Sequence, residues 1–219
     1  MASLTPADLP NILPVFPLQG ALLLPGGQLP LNIFEPRYRA MIEDAMGGAR
    51  LVGMIQPRVK ERIAADDAPA LYATGCVGKI TSFTETSDGR YLINLTGICR
   101  FAVARELPPL RGYRRVEPDW APYLGDFEAP PESAFDRPGL IAALKSYLAR
   151  NEFGADWKAV EGTGTADLVV LLAAMCPFDA IEKQALLEAP DAAGRGRVLI
   201  SLLAMGRGAD KGERPSRMN

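Results

Sequence analysis

The chain has 219 residues, 48% hydrophobic and 23% charged, with a formal net charge of −2. That is the composition of a soluble globular protein of one or two domains, able to bury about 70% of its unfolded surface. The near-neutral charge argues against a nucleic-acid footprint spread over the whole surface. The absence of histidine removes Ser-His-Asp and Cys-His catalysis and every imidazole metal site.

Residues 1–10 read as a loosely held, proline-punctuated arm with no basic region leading into an apolar core, so no secretory signal is expected. Residues 11–18 read as a strand that Pro14 and Pro17 confine to an edge or a bulge. Residues 20–27 read as a loop carrying the apolar patch Ala21-Leu22-Leu23-Leu24. In residues 28–34, Leu29, Leu31 and Ile33 alternate with Pro30 and Asn32, which predicts a second strand. Pro36 suits the first position of a helix. Tyr38, Met41, Ile42 and Ala45 then recur on one helical face, and Gly47-Gly48 can end it.

Further strands are predicted over 50–56, 74–84, 90–95, 98–103 and 111–116. An Asp88-Gly89 hairpin turn and a second turn at Thr96-Gly97 separate three of them. Residues 57–69, charged in both signs, read as a loop or lid. Residues 117–138 are rich in proline and acids and read as a connector. Beyond it the pattern is helical. Leu140, Leu144, Tyr147 and Leu148 share a face, and residues 155–160 make a short helix or turn. Residues 165–176 (TADLVVLLAAMC) are apolar nearly all round, which predicts a helix buried on every side. Asp179 with Glu182 reads as a capping box, and Asp191 as the cap of a last helix ending near Gly206.

The stretch PVFPLQGALLLPGGQLPLNIFEPRYRAMIEDA, from Pro14 to Ala45, resembles the start of a Lon N-terminal domain. Val77 to Ile80, Asp88 to Arg90, Gly97 to Phe101 and the run PFDAIEKQALLE at Pro177 to Glu188 continue the resemblance over most of the chain. That domain is the substrate-recognition module of the ATP-dependent protease Lon and also occurs as a stand-alone bacterial protein. The resemblance implies a PUA-like β-barrel for the first half. It also implies non-enzymatic recognition of protein chains, with unfolded or extended polypeptide as ligand and a separate ATPase or protease as a possible partner.

The expected fold is therefore α+β. A small antiparallel PUA-like barrel with one helix occupies residues 1–125, a helical bundle with its own core 133–206, and a disordered tail 207–219. No P-loop is present, and the chain has neither the motifs nor the length of an ATPase or a Ser-Lys peptidase. No cofactor or metal is expected. Cys76, Cys99 and Cys176 form no CxxC pair and suit a reducing cytosol; no apolar run is long enough to span a membrane, so a cytoplasmic protein is expected.

Leu22, Leu23 and Leu24, with Phe16 and Phe34 near them, form the leading candidate binding surface; the competing reading folds these leucines under the barrel as core. Phe178 in the helical half is the next candidate. Glu35, Arg37 and Arg100 are the charges most embedded in apolar text. They read as a structural ion pair locking helix to barrel, or as a recognition site for a polar group. Tyr91 and Phe101 lie on strands, as RNA-stacking residues would, which keeps an RNA-binding PUA-like module as the alternative; core packing is the other reading.

Overall fold

The computed structural model describes residues 4–62 and 69–205, the side chains of 59–62 apart. Six strands form one mixed sheet: β1 (Leu13–Pro17), β2 (Gln28–Ile33), β3 (Leu51–Arg62), β4 (Pro69–Glu85), β5 (Tyr91–Leu110) and β6 (Tyr113–Asp119). Their order is β2-β5-β4-β3-β1-β6, and β6 pairs again with β5. The pairings thus return on themselves through β5, β4, β3, β1 and β6, with β2 outside the ring on β5. Every pairing is antiparallel except β1 on β3, which is parallel. The expectation of a purely antiparallel sheet is corrected there: α1 (Pro36–Met46) and β2 intervene between β1 and β3, so β3 returns in the same direction.

The Asp88-Gly89 turn forms as expected, with Gly89 at φ 77° and Thr86 N–H donating to the Arg90 carbonyl at 2.9 Å. The turn expected at Thr96-Gly97 does not form; β5 continues through it, with a one-residue slip in its pairing with β4 at Ile98. Gly97 is needed for close approach instead: a Cβ there would collide with the Leu24 carbonyl. The chain reverses only at Arg111-Gly112, at φ 48° and 84°, so Arg111 is a turn residue rather than the start of a strand.

The second half contains α2 (Arg137–Asn151), α3 (Trp157–Gly162), α4 (Thr165–Met175), α5 (Ala180–Glu188) and α6 (Ala192–Met205). The Asp179–Glu182 capping box is complete, with both bonds at 2.8 Å. Asp191 caps α6 through Gly194 N–H at 2.6 Å. The expected tail, 207–219, lies outside the described residues, as do 63–68 of the expected lid.

Two clusters make the core. The smaller, with Leu13, Val15, Val77, Cys99, Phe101 and Val116, sits within the strands. The larger joins both halves. Leu22, Leu23, Leu24, Ile33, Met41 and Leu95 lie in one cluster with Leu140, Leu144, Leu168, Leu186, Leu199 and Leu203. The helices pack chiefly on one another, α2, α4 and α5 each against α6, and this helical core runs on into the strand-rich half, where α5 meets β4. Helix α4 is not buried all round. Leu168, Val169 and Ala173 face inward, while Leu171 and Met175 face out.

Polar groups also cross between the halves. Gln56 Nε2 donates to the Ala180 carbonyl at 2.8 Å and to Gln184 Oε1 at 3.1 Å. Gln184 Nε2 donates to the Thr74 carbonyl at 3.3 Å, and Lys183 Nζ to the Gly20 carbonyl at 2.7 Å. Both glutamines are buried, so each bond satisfies a group that would otherwise cost desolvation.

Candidate functional site

The leucine loop is not a docking surface. Leu22, Leu23 and Leu24 are 7%, 2% and 2% exposed. The loop is pinned to β5 by Gly26 N–H on the Gly97 carbonyl at 3.0 Å and Gly97 N–H on the Gly27 carbonyl at 2.8 Å. Leu23 fills a socket left by glycines, its Cδ2 lying 2.7 Å from where a Gly78 side chain would begin. Phe16 is buried with its ring 4.2 Å from that of Tyr38, and Phe178 is buried in the larger core. Of the aromatic and leucine candidates only Phe34, 63% exposed, faces solvent. Tyr91 and Phe101 are buried too, so neither offers a stacking face.

Glu35 and Arg37 do pair, at 2.9 Å, but at 43% and 52% exposure. A pair that open contributes about 0–1 kcal/mol, so it does not lock helix to sheet. Arg100 belongs to neither. It is 2% exposed and bonds Asp126 through Nη2 at 2.9 Å and Nε at 2.9 Å. It also donates to the carbonyls of Leu187, at 3.1 Å, Ala189 and Pro190, at 3.3 Å. Its ring neighbour is Tyr123, 4.5 Å away. Asp126, in the connector, was not recognised from sequence, because nothing local marks which acid of a polar stretch turns inward. Arg195, also buried, donates Nε–H to the Leu186 carbonyl at 3.1 Å; burial first, then Arg100 nearby, pulls its pKa down to about 10.

The cysteines are not poised for chemistry. All three are buried. Burial pushes Cys176 up to about 11 and Cys99 up to about 12, and raises Cys76 further. A thiol reagent at pH 8 is expected to leave all three unmodified in the folded chain and to react with all three in denaturant; rapid labelling of the native protein would contradict their burial. Because these pKa values lie above the ordinary 9.0, the unfolded chain loses its thiol protons first. This contribution to stability is full below about pH 9 and falls as pH rises toward 11–12.

Among the described residues, two exposed surfaces bear on recognition. On α4, Leu171 and Met175 are one helical turn apart and 48% and 72% exposed; Ala174 lies exposed between them. Ile181, at the start of α5, is 71% exposed. On the sheet, β2 is an edge strand, with Gln28, Pro30 and Asn32 exposed. Helix α4 touches the chain just before β2: Val170 Cγ1 lies 3.1 Å from where a Gly27 side chain would begin. The same all-round apolar pattern that predicts burial leaves this stripe open, because the helix is apolar on more faces than its neighbours cover.

A family model described as the ATP-dependent protease La (LON) substrate-binding domain matches residues 12–205. The chain belongs to this family. Among curated relatives, Lon protease 2 of Myxococcus xanthus is 28% identical over 200 residues, covering 90% of this chain and 24% of that protein. Lon protease of Anaeromyxobacter dehalogenans is 26% identical over 199 residues, covering 90% and 23%. The chain therefore spans about a quarter of the length of these relatives. A solved Lon N-terminal domain protein from Xanthomonas campestris is 25% identical at a TM-score of 0.59, with 89% of this chain and 98% of that one covered. The N-terminal domain of the Mycobacterium avium complex Lon protease, at 20% identity and TM-score 0.59, shares the fold. The match includes both the strand-rich and the helical half.

Proposed function

We propose that this chain is a non-catalytic module that recognises unfolded or extended polypeptide in the cytoplasm and works beside a separate ATP-dependent protease. The observation that carries the reading is the exposed apolar stripe of Leu171, Ala174 and Met175 on α4, on a member of a substrate-binding family. Exposed apolar groups gathered on one face favour non-directional contact with many chains. The ring of pairings from β5 round to β6 supports reading the first half as a PUA-like barrel. The buried, high-pKa thiols supply no nucleophile.

Several arginines on the strands and their turns are paired with carboxylates, which weakens the case for RNA. Arg105 pairs with Glu117, Arg114 with Glu106, Arg90 with Asp88, and Arg111 with Glu43 and Asp44. Each of these charges is partly offset by its carboxylate, which lowers the positive potential a phosphate would meet.

The test replaces both exposed side chains. Leu171→Ser with Met175→Ser is expected to weaken binding of a fluorescent, carboxymethylated unfolded protein at least tenfold. One large apolar side chain covered by a ligand contributes about 1.5–3 kcal/mol. The melting temperature should hold, because neither side chain lies in the core. A folded double variant that binds as before would place recognition elsewhere.

A further inference from the structure

We propose that the free edge of β2 captures an extended client segment as an added antiparallel strand. This rests on the polypeptide reading above and specifies how the chain is held. The direction of the β2 backbone groups follows from two observations. Gly27 gives its carbonyl to Gly97 N–H at 2.8 Å, and residues 28–33 pair with 96–91 in continuous antiparallel register. Antiparallel bonding alternates, so Leu29, Leu31 and Ile33 exchange bonds with β5, while Gln28, Pro30 and Asn32 turn theirs outward. Pro30 agrees with this parity, since it has no N–H to offer β5.

The exposed edge thus presents three carbonyls, of Gln28, Pro30 and Asn32, and two N–H groups, of Gln28 and Asn32. Only an extended backbone matches such an alternating row. On the core side, Leu29 and Leu31 are half-buried against the main cluster and would flank the client's inward side chains. The outward residues carry the solvent-side neighbours.

Pro30 weakens pairing with a second copy of this chain, which keeps four bonds between Gln28 and Asn32 where a foreign chain can make five. Two β2 strands paired about their centres would set Pro30 opposite Pro30, leaving two carbonyls facing each other without a donor. Sliding the register by one pair removes that clash but keeps only one bond from each side. A foreign chain has a donor opposite Pro30 and can engage all five groups. The proline therefore blunts self-association while leaving the edge open to clients.

The test uses the full chain and eight-residue peptides of alternating Leu and Thr with lysines at both ends. With leucines on the core side, the threonine N–H groups face β2. N-methylation of the threonines is expected to weaken binding at least tenfold, and N-methylation of the leucines to leave it within twofold. Asn32→Pro removes one outward donor without touching the β5 ladder and should weaken binding about fivefold, the worth of one hydrogen bond. Equal binding by all three peptides overturns the proposal, as does a preference reversed between the two methylated forms. If no peptide binds while the unfolded protein still does, strand capture is wrong and polypeptide recognition stands; if neither binds, both readings fall. A dimer in sedimentation that Asn32→Pro dissolves would overturn the assignment to a foreign chain. Should Asn32→Pro fail to fold, the methylated pair on the unaltered protein still decides.

Discussion

An Arg100→Met variant is expected to lose about 3–5 kcal/mol of stability, read as a lowered denaturation midpoint at unchanged slope. The reason lies in what remains. Asp126, 8% exposed at its side chain, loses the guanidinium it is bonded to. The carbonyls of Leu187, Ala189 and Pro190 lose their donor at the junction of α5 and α6. Arg100 thus ties β5 at once to the connector and to the helices, and its removal is felt on three elements. Replacing the acid as well, in Arg100→Met with Asp126→Leu, should recover part of the loss, since both charges are then gone. A single variant as stable as the parent would show that water reaches this site and pairs Asp126. Client binding should follow stability rather than vanish independently, because Arg100 offers no exposed group to a ligand.

A chain ending at Pro131 is expected not to fold cooperatively. It would lose Leu140, Leu144, Leu168, Leu186, Leu199 and Leu203, all at most 2% exposed, from a cluster shared with Leu22, Leu23 and Leu24. Each such burial is worth about 1.5–3 kcal/mol. Together they amount to about 9–18 kcal/mol, comparable with the whole 5–15 kcal/mol stability of a typical domain, and the apolar face left behind faces water. Gln56 and Arg100 would also lose their partners across the junction. The measurements are near-ultraviolet circular dichroism, binding of a hydrophobic dye, and light scattering. A monomeric fragment with a sharp thermal transition would show that the strand-rich half stands alone after all.

Local chemistry was legible in the sequence wherever a residue acts on its near neighbours. Pro36 opens α1, Asp88-Gly89 turns the hairpin, Asp179 and Glu182 cap α5, and the FEPRY and PFDAIEKQALLE text marks the family. These signals depend on backbone geometry within a few residues, which the residue types themselves impose. The fate of Leu22–Leu24 was not decided locally: the same three leucines suit an exposed loop or a core, and the difference is made by Gly78 and Gly97, more than fifty residues away, which open a socket for them. Thr96-Gly97 reads as a turn for the same reason, since a glycine serves a reversal or a close approach equally well until the Leu24 carbonyl arrives. Burial of the charges was likewise settled by distance partners. Arg37 and Arg100 look alike in apolar text, yet one lies on the surface and the other meets Asp126 and three carbonyls. The outward faces of α4 and β2 were decided last of all. Amphipathic pattern tells which side chains are apolar, but only packing of the helices on one another and on the strands determines which of them find cover and which stay exposed to a partner.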